Sequence, residues 1–197
     1  MLLLACEQRF AFWVAWVTTL QGWALAEQGQ GAEGIAQMRQ GLAAYRATGA
    51  EQWRPYVLAL LAEGYGKAGQ REDGLSVVAE ALAQVDKTGE RFYEAELYRL
   101  KGELSLQSEI TNPQHPALST QAKAEAEACF HKAIEIARRQ QAKSLELRAV
   151  MSLVRLWQQQ SKKEEARQML AELYGWFTEG FDTKDLQEAK ALLEELR

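Results

Sequence analysis

The sequence predicts an all-α protein in which helix pairs repeat along the chain. Apolar residues recur at helical spacing almost throughout the 197 residues, and no segment shows the apolar–polar alternation of a strand. Small residues and turn residues also recur 40 positions apart. A fixed period of this length is typical of stacked helical units rather than of one globular core. The recurring sets are Gly22, Ala62 and Gly102; Gly29 and Gly69; Gly34 and Gly74; Leu42 and Leu82; and Thr48-Gly49 and Thr88-Gly89.

Helical periodicity and turn residues divide the chain into one short segment followed by full-length helices. Proline, which interrupts helices, is confined to Pro55, Pro113 and Pro116. The predicted segments are 2–8, 10–28, 31–48, 52–68, 71–88, 91–109, 119–140, 144–160, 162–177 and 183–196.

The turns inside each helix pair predict sharp antiparallel connections. Gly29 and Gly69 lie where a helix ends, a position that favours a residue tolerant of positive φ. Gly34 and Gly74 follow five residues later, inside the second helix, where glycine costs about 1 kcal/mol relative to alanine. We therefore expect close helix packing at these two glycines, because only a small residue lets two backbones approach.

These spacings resemble the tetratricopeptide repeat, a pair of antiparallel helices with small and bulky residues at fixed positions. The resemblance implies a right-handed α-solenoid of about four repeats of roughly 40 residues, forming a single domain over residues 1–197. The period exceeds the usual one of that family, so longer helices are expected, and Ser161 stands at a turn where glycine is usual. The second unit carries the resemblance at Leu61, Ala62, Tyr65, Gly69, Gly74, Val78 and Ala81. The other units match at Gly22, Gly29, Gly34, Met38 and Gly41, at Leu100, Gly102, Ala126, Phe130 and Ala133, and at Leu153, Val154, Trp157, Ala166, Leu170 and Leu173.

The third unit contains extra residues between its two helices. The spacing from Gly102 to Ala126 is 24 residues, whereas Gly22 and Gly34 are 12 apart. The intervening stretch SEITNPQHPALST is rich in proline and hydroxyl residues, which predicts an inserted surface loop over 108–119. Two interpretations stay open, a recognition element and a tolerated mobile insertion.

Five longer stretches of the chain carry a further pattern, and they are GWALAEQGQ, ALLAEGYGKAGQ, TGERFYEAELYRLKGELSL, AEACFHKAIEIARRQQAKSLELRAVMSL and YGWFTEGFDTKDLQEAKALLEEL. They look like the C-terminal repeat region of large bacterial regulators that carry a nucleotide-cyclase or kinase domain and a signalling ATPase domain. The resemblance implies a regulatory, partner-sensing or self-associating segment, and it transfers no catalytic residue. It also implies that residues 1–9 end a helix of a preceding repeat, so the chain is interpreted as a fragment or a shortened reading frame.

Composition argues against nucleic acid and membranes as partners. The formal net charge is -4 and the basic residues are interspersed with acidic ones, so no basic field faces a phosphate backbone. The apolar run from Phe10 to Leu20 is shorter than the ~20 residues that cross a bilayer. Cys6 and Cys129 are isolated in apolar stretches, which favours reduced thiols and a cytoplasmic location.

The sequence carries no pattern typical of an enzyme. His115 and His131 lie outside metal-binding motifs, and Cys129 is two residues from His131 and points to another helix face. The stretch GQGAEG lacks the Gly-Lys-Ser/Thr ending of a phosphate loop. We therefore predict no catalytic residue, cofactor or metal.

The repeat register predicts a concave face on which a protein or peptide partner binds. Arg148 and Arg155 are seven residues apart, so both project from one helix face and are able to clamp an acidic peptide. The alternative is a solvated face whose charges pair with one another. Trp16 and Trp23 either stack on a ligand or pack against another repeat or chain. The predicted face comprises Trp16, Trp23, Tyr56, Glu63, Lys67, Arg99, Glu103, Arg148, Arg155, Gln158 and Gln159.

The two ends of the chain differ in polarity. The last segment, 183–196, has a stripe of apolar residues and a polar outer side, which predicts a capping helix. Trp157 is expected in the core, and Trp176 and Phe177 are expected to anchor the terminal helix. The first full helix is apolar around much of its surface, which predicts self-association as a homodimer. The capping stripe consists of Leu186, Ala189, Leu192, Leu193 and Leu196.

Two functions are compatible with this pattern. The first is a non-catalytic protein–protein interaction or scaffold module, the sensing part of a bacterial signalling protein. The second is a small-molecule sensor that binds an apolar ligand at the aromatic end of the concave face.

Overall fold

The computed structural model describes residues 10–107 and 116–197, and the regular elements in these two ranges are all α-helices. The all-α prediction is therefore confirmed for this part of the chain. The helices are α1 (Ala11–Glu27), α2 (Gly31–Ala47), α3 (Arg54–Lys67), α4 (Arg71–Thr88), α5 (Glu94–Leu106), α6 (Pro116–Arg139), α7 (Lys143–Gln159), α8 (Lys163–Tyr174) and α9 (Lys184–Glu195).

The chain divides into two compact units between Tyr93 and Glu94. The first unit contains α1 to α4 and the second contains α5 to α9. The sequence predicts one continuous domain over residues 1–197, whereas the packing groups the helices into these two bodies.

The first unit is held together by packing between consecutive helices. Helix α1 packs against α2 and α3, α2 packs against α3, and α3 packs against α4. Helices α1 and α2 approach closely at Gly34, where an added Cβ would lie 2.5 Å from the carbonyl oxygen of Gly22. The close packing predicted at Gly34 is confirmed, because no larger residue fits this contact. The core residues of the unit include Ala15, Met38, Tyr45, Leu58, Ala62, Val78 and Val85.

The turns within the helix pairs adopt the left-handed backbone predicted for them. Gly29 has a φ of 86° and Gly69 a φ of 71°. Ser161, which replaces glycine at the corresponding turn between α7 and α8, also has a positive φ, 62°. The conformation is thus kept where the favoured residue is absent, at an energetic cost.

Helix α9 closes the second unit as the sequence predicts. It packs against α7 and α8. Its buried side chains are Leu186, Ala189 and Leu192, followed by Leu196 just beyond the helix. Trp157 is buried in the core of this unit, as expected.

The predicted anchoring role of Trp176 is wrong, because its side chain is 58% exposed. Helix α8 ends at Tyr174, so Trp176 no longer follows the apolar stripe of that helix. Phe177 is the residue that packs against the core.

The predicted inserted loop, 108–119, lies partly outside the described residues. Residues 108–115 of the predicted loop are not among those described, and neither are residues 1–9, which the sequence assigns to a preceding repeat. Residues 116–119 belong to α6, which begins at Pro116. The loop boundary is corrected accordingly, because proline is favoured in the first turn of a helix, where its missing N–H costs nothing.

Helix α1 contains the apolar run at the start of the chain. It is 17 residues long, and it buries Ala15, Thr19, Gly22 and Ala26. Across residues 10–107 and 116–197, no helix combines the length and apolarity needed to cross a membrane.

Candidate functional site

Aromatic residues recur at the N-terminal ends of the first helices of the predicted repeats. Trp13, Trp53 and Tyr93 are 40 residues apart, and so are Trp16 and Tyr56. The structure brings them into one network of ring contacts within the first unit. We call this network the aromatic ladder, and its members are Phe12, Trp13, Trp16, Tyr45, Trp53, Tyr56, Phe92 and Tyr93.

The rings of the ladder contact one another in the geometries that aromatic pairs prefer. Trp16 stacks on Tyr56 with the ring centroids 5.6 Å apart. The same Trp16 meets Trp53 edge-on at 5.7 Å, and Trp53 meets Phe92 at 5.5 Å. Tyr56 in turn contacts Tyr93 at 4.9 Å. Two residues that the sequence predicts for a binding face, Trp16 and Tyr56, therefore form the middle of the ladder.

The ladder has a buried base and an exposed edge. Tyr45 is completely buried beneath it. Trp13, Trp53 and Phe92 are 49%, 47% and 43% exposed. Exposed aromatic side chains grouped in this way mark interaction surfaces more often than isolated ones do.

Trp53 adopts an unusual backbone conformation. Its φ is 65°, in the left-handed region, which is rare for a bulky residue and costs about 1–3 kcal/mol. Its N–H donates a hydrogen bond to Oε1 of Glu90 at 2.7 Å. Helix α3 begins with the next residue, so this conformation sets the direction in which the indole leaves the backbone.

An open cavity of about 590 Å³ lies beside Trp53, between the residues that follow the Thr48-Gly49 turn and the Thr88-Gly89 turn of the first unit. In both turns the threonine hydroxyl donates to a carbonyl of the preceding helix, three residues back at Thr48 and four residues back at Thr88. The Thr48 hydroxyl donates to the carbonyl of Tyr45 at 2.7 Å, and the Thr88 hydroxyl donates to the carbonyl of Gln84 at 2.8 Å. We call this space the turn cavity, and it is lined by Glu51, Gln52, Trp53, Thr88, Gly89, Glu90 and Phe92.

The other predicted binding residues of the first unit form a polar cluster. The indole N–H of Trp23 donates to Oε2 of Glu63 at 3.0 Å. Lys67 Nζ lies 3.2 Å from Oε1 of Glu63, and it also pairs with Glu27. The structure thus brings Trp23, Glu63 and Lys67 together, with their polar groups bonded to one another.

The predicted arginines of the second unit are bonded to carboxylates of the same unit. Arg99 contacts Glu103 at 2.5 Å and Glu96 at 2.7 Å. The guanidinium of Arg148 lies 2.7 Å from Oδ2 of Asp185 in α9.

Arg155 repeats this arrangement, because its guanidinium lies 3.0 Å from Oε2 of Glu188 in α9. Gln158 and Gln159 line an open cavity with these two residues. The carboxylates of the capping helix therefore occupy the places that an acidic peptide would take at Arg148 and Arg155. This geometry favours the interpretation of an internally paired face.

Trp13, Trp53 and Phe92 are exposed site residues that the sequence analysis did not assign to the predicted binding face. The signal that could have found this region is the 40-residue spacing of Trp13, Trp53 and Tyr93. The last two lie shortly after the Thr-Gly turns. The register of the concave face does not include them, because they lie at the helix ends.

Cys129 and Glu127 of the second unit lie in environments typical of packing rather than of catalysis. Burial raises the pKa of the Cys129 thiol, which makes it a poor nucleophile. Burial also disfavours the charge on Glu127, but hydrogen bonds from the Trp157 indole at 2.7 Å and from Lys162 at 3.1 Å prevail and lower its pKa. Among the described residues, no group of three or more His, Cys, Asp or Glu side chains is placed to hold a metal ion.

No family model matches the chain. An uncharacterized protein of Rhizobium meliloti (strain 1021) is 36% identical to it over 80 residues. The match covers 41% of the chain and 8% of the Rhizobium protein. The chain thus corresponds to a small part of a much longer relative, and the similarity by itself assigns no activity.

Proposed function

We propose that this chain is a non-catalytic protein-interaction module, a tetratricopeptide-like right-handed α-solenoid whose partner binds the exposed edge of the aromatic ladder. The observation that carries the proposal is the group of half-exposed rings at Trp13, Trp53 and Phe92. Their inner neighbours hold them in place before a partner arrives, so binding orders few side chains. Tryptophan is also among the residues that contribute most to binding at protein interfaces.

The role suggested by the sequence resemblance is a sensing or scaffolding segment of a cytoplasmic bacterial signalling protein. The similarity to part of a much longer protein is compatible with a segment of a larger protein and leaves its role open. The apolar-ligand alternative is less favoured, because Trp16 and Tyr56 stack on each other rather than enclosing an apolar space.

Self-association is a second candidate for the same region. Phe10, at the start of α1, is 54% exposed, and it lies close in sequence to the exposed Trp13. A homodimer that buries these rings would have the isologous interface of a closed two-fold assembly.

Selection from a phage-displayed peptide library tests the interaction proposal. We expect enriched peptides whose affinity for the double variant Trp13→Ser and Trp53→Ser falls at least about tenfold, which corresponds to about 1.4 kcal/mol. Isothermal titration calorimetry measures the affinity, and far-ultraviolet circular dichroism checks that the variant stays helical. The matched control is Trp176→Ser, which removes an equally exposed indole from the second unit.

Two results would overturn the proposal. One is a failure of the wild-type chain to enrich any peptide. The other is peptide binding that is equally strong in the ladder variant and in the Trp176→Ser control.

A further inference from the structure

We propose that the turn cavity binds an organic cation, namely the guanidinium of an arginine or the ammonium of a lysine on the partner segment. This inference rests on the proposed function and adds the chemical class of the group that is recognised. It depends on three features of the cavity, which are its aromatic walls, its charge and its rigidity.

Two aromatic rings form a corner of the cavity. Trp53 and Phe92 have centroids 5.5 Å apart and ring planes inclined at 65°. Both rings are about half exposed, so their uncovered surface is available to a ligand. A cation within about 6 Å of such a ring centroid is attracted by the negative face of the ring, most strongly for tryptophan. A corner of two inclined rings offers a cation two such surfaces.

The charge of the cavity complements a cation. Its seven lining residues include two carboxylates, Glu51 and Glu90, and no lysine, arginine or histidine. The two carboxylates come from equivalent loops, each following a Thr-Gly turn by one or two residues. Carboxylates beside aromatic rings select a guanidinium or an ammonium over a neutral or acidic side chain.

The ion pair between Lys87 and Glu51 at the edge of the cavity is weak. Lys87 Nζ lies 3.3 Å from Oε1 of Glu51, and both side chains are more than half exposed. Exposed pairs of this kind contribute little, because water screens them and holding both side chains costs entropy. A ligand cation packed against the rings competes with Lys87 for this carboxylate.

The walls of the cavity are held in place from within the chain. Glu90 accepts the Trp53 N–H at 2.7 Å, which ties the acidic wall to the aromatic wall. The Thr88 hydroxyl accepts the Glu90 N–H at 3.3 Å while donating to the helix behind it. A ligand therefore meets a preformed site, so less entropy is lost on binding.

A pair of peptides that differ only in charge tests the inference directly. The probes are blocked Gly-Gly-Arg-Gly-Gly and the same peptide with citrulline, which keeps the shape of arginine and removes its charge. Two-dimensional ¹H–¹⁵N spectra of the full chain report on the Trp53 indole and the Gly89 amide. We expect the arginine peptide to shift both signals and to bind about tenfold more tightly than the citrulline peptide.

Variants of the two cavity carboxylates test whether the arginine peptide binds in the turn cavity. Glu51→Gln and Glu90→Gln together are expected to weaken the arginine peptide about tenfold, because glutamine keeps the acceptor for the Trp53 N–H and removes the charge. Glu164→Gln is the matched control, since it removes an exposed carboxylate from the second unit. Equal binding of the arginine and citrulline peptides, or equal loss in the control, would overturn the inference.

A third probe, tetramethylammonium, separates a peptide-borne cation from a free one. Binding of tetramethylammonium as tight as that of the arginine peptide would assign the cavity to small quaternary ammonium ions and overturn the partner assignment. The outcomes that refute the cation site differ from those that refute the proposed function. Library peptides that need Trp53 but carry no cation would refute the cation site alone, whereas cation binding without any enriched peptide would refute the ladder as the partner surface.

Discussion

Left-handed backbone at a non-glycine residue stores energy in this protein. Gly29 and Gly69 adopt positive φ at their turns, and neither has a neighbouring atom within 4 Å of a Cβ added there. Ser161 has the same backbone with a side chain attached, and Gln141, between α6 and α7, does likewise. The glycine turns and the non-glycine turns therefore differ in the energetic cost of left-handed backbone.

Ser161→Gly is therefore expected to stabilise the second unit by about 1 kcal/mol, because it relieves the left-handed strain at a modest entropic cost. Urea unfolding followed by circular dichroism measures the change. Gly69→Ala provides the opposite test in the first unit and is expected to destabilise by about 1 kcal/mol. A stability unaltered in both variants would show that these turns relax without cost.

The buried carboxylate of Glu146 makes the stability of the second unit sensitive to acid. Its side chain is 3% exposed and lies 2.7 Å from both Arg138 Nε and Lys143 Nζ. Burial acts to raise the pKa of Glu146, but the two hydrogen bonds and the nearby positive charges prevail and lower it. A lowered pKa gives stability that is present above the unfolded value of about 4.3 and is lost as the pH falls through the folded value.

Glu146→Gln is expected to destabilise the chain at pH 7 by about 2 kcal/mol, because it leaves two cations without their buried partner. The difference from wild type should shrink as the pH falls below about 4, where the wild-type carboxylate becomes protonated. Urea unfolding at pH 7 and pH 3 measures both. Glu135→Gln, at an exposed ion pair, serves as the control, and a gap that persists unchanged at pH 3 would contradict the argument.

At the scale of elements, the pairing of α1 with α2 depends on glycines at the contact. A Cβ on Gly34 would lie 2.5 Å from the Gly22 carbonyl oxygen and 2.7 Å from the Ala26 nitrogen. Both atoms belong to the backbone, so the contact opens only if a helix moves. Gly31, in the first turn of α2, has room by comparison, because its added Cβ would lie 3.4 Å from the Ala68 Cβ.

Gly34→Ala is thus expected to destabilise the first unit by about 2 kcal/mol, despite the better helix propensity of alanine. Gly31→Ala should change stability by less than about 0.5 kcal/mol or improve it slightly. Thermal unfolding of the two variants side by side gives the comparison. Equal melting temperatures would mean that α1 and α2 separate easily.

At the scale of the whole molecule, the exposed rings of α1 bear on assembly. If the chain forms the proposed homodimer, sedimentation at micromolar concentration will show a species near twice 22.2 kDa. Lysine at Phe10 and Trp13 is expected to shift this species toward monomer, because it places charge on an apolar interface. These two positions are more suitable than Trp16, whose ring stacks on Tyr56 inside the chain.

Trp176→Lys is the control for this experiment, as it adds the same charge at an exposed indole of the second unit. A strictly monomeric wild type would rule out the dimer. A dimer that survives lysine at Phe10 and Trp13 but not at Trp176 would place the interface in the second unit.

Much of the fold was predictable because its signals are local. The positive φ at Gly29, Gly69 and Ser161 follows from where each helix ends. The burial of Leu186, Ala189 and Leu192 follows from helical spacing within one segment. Such features depend on residues a few positions apart, which the sequence displays directly.

The candidate site was less predictable, because it depends on distant residues and on backbone direction. Helical periodicity placed Trp16 and Tyr56 on a common face, and their stacking agrees with that placement. It did not reveal that Trp53 adopts a left-handed backbone conformation, since tryptophan rarely adopts positive φ. Nor did it reveal that Phe92 would meet Trp53 from a loop 39 residues away.

The sequence by itself determined the helical class, the positions of the turns and the capping helix, because periodicity and turn chemistry act within a few residues. The tertiary structure decided which groups meet. Arg148 and Arg155 read as binding residues in the sequence, yet Asp185 and Glu188 pair with them, since α9 brings its carboxylates across the face of α7. The pairing of Arg99 with Glu103 follows from spacing along one helix, but a charge or ring whose partner lies on another helix acquires that partner only when the two helices pack together.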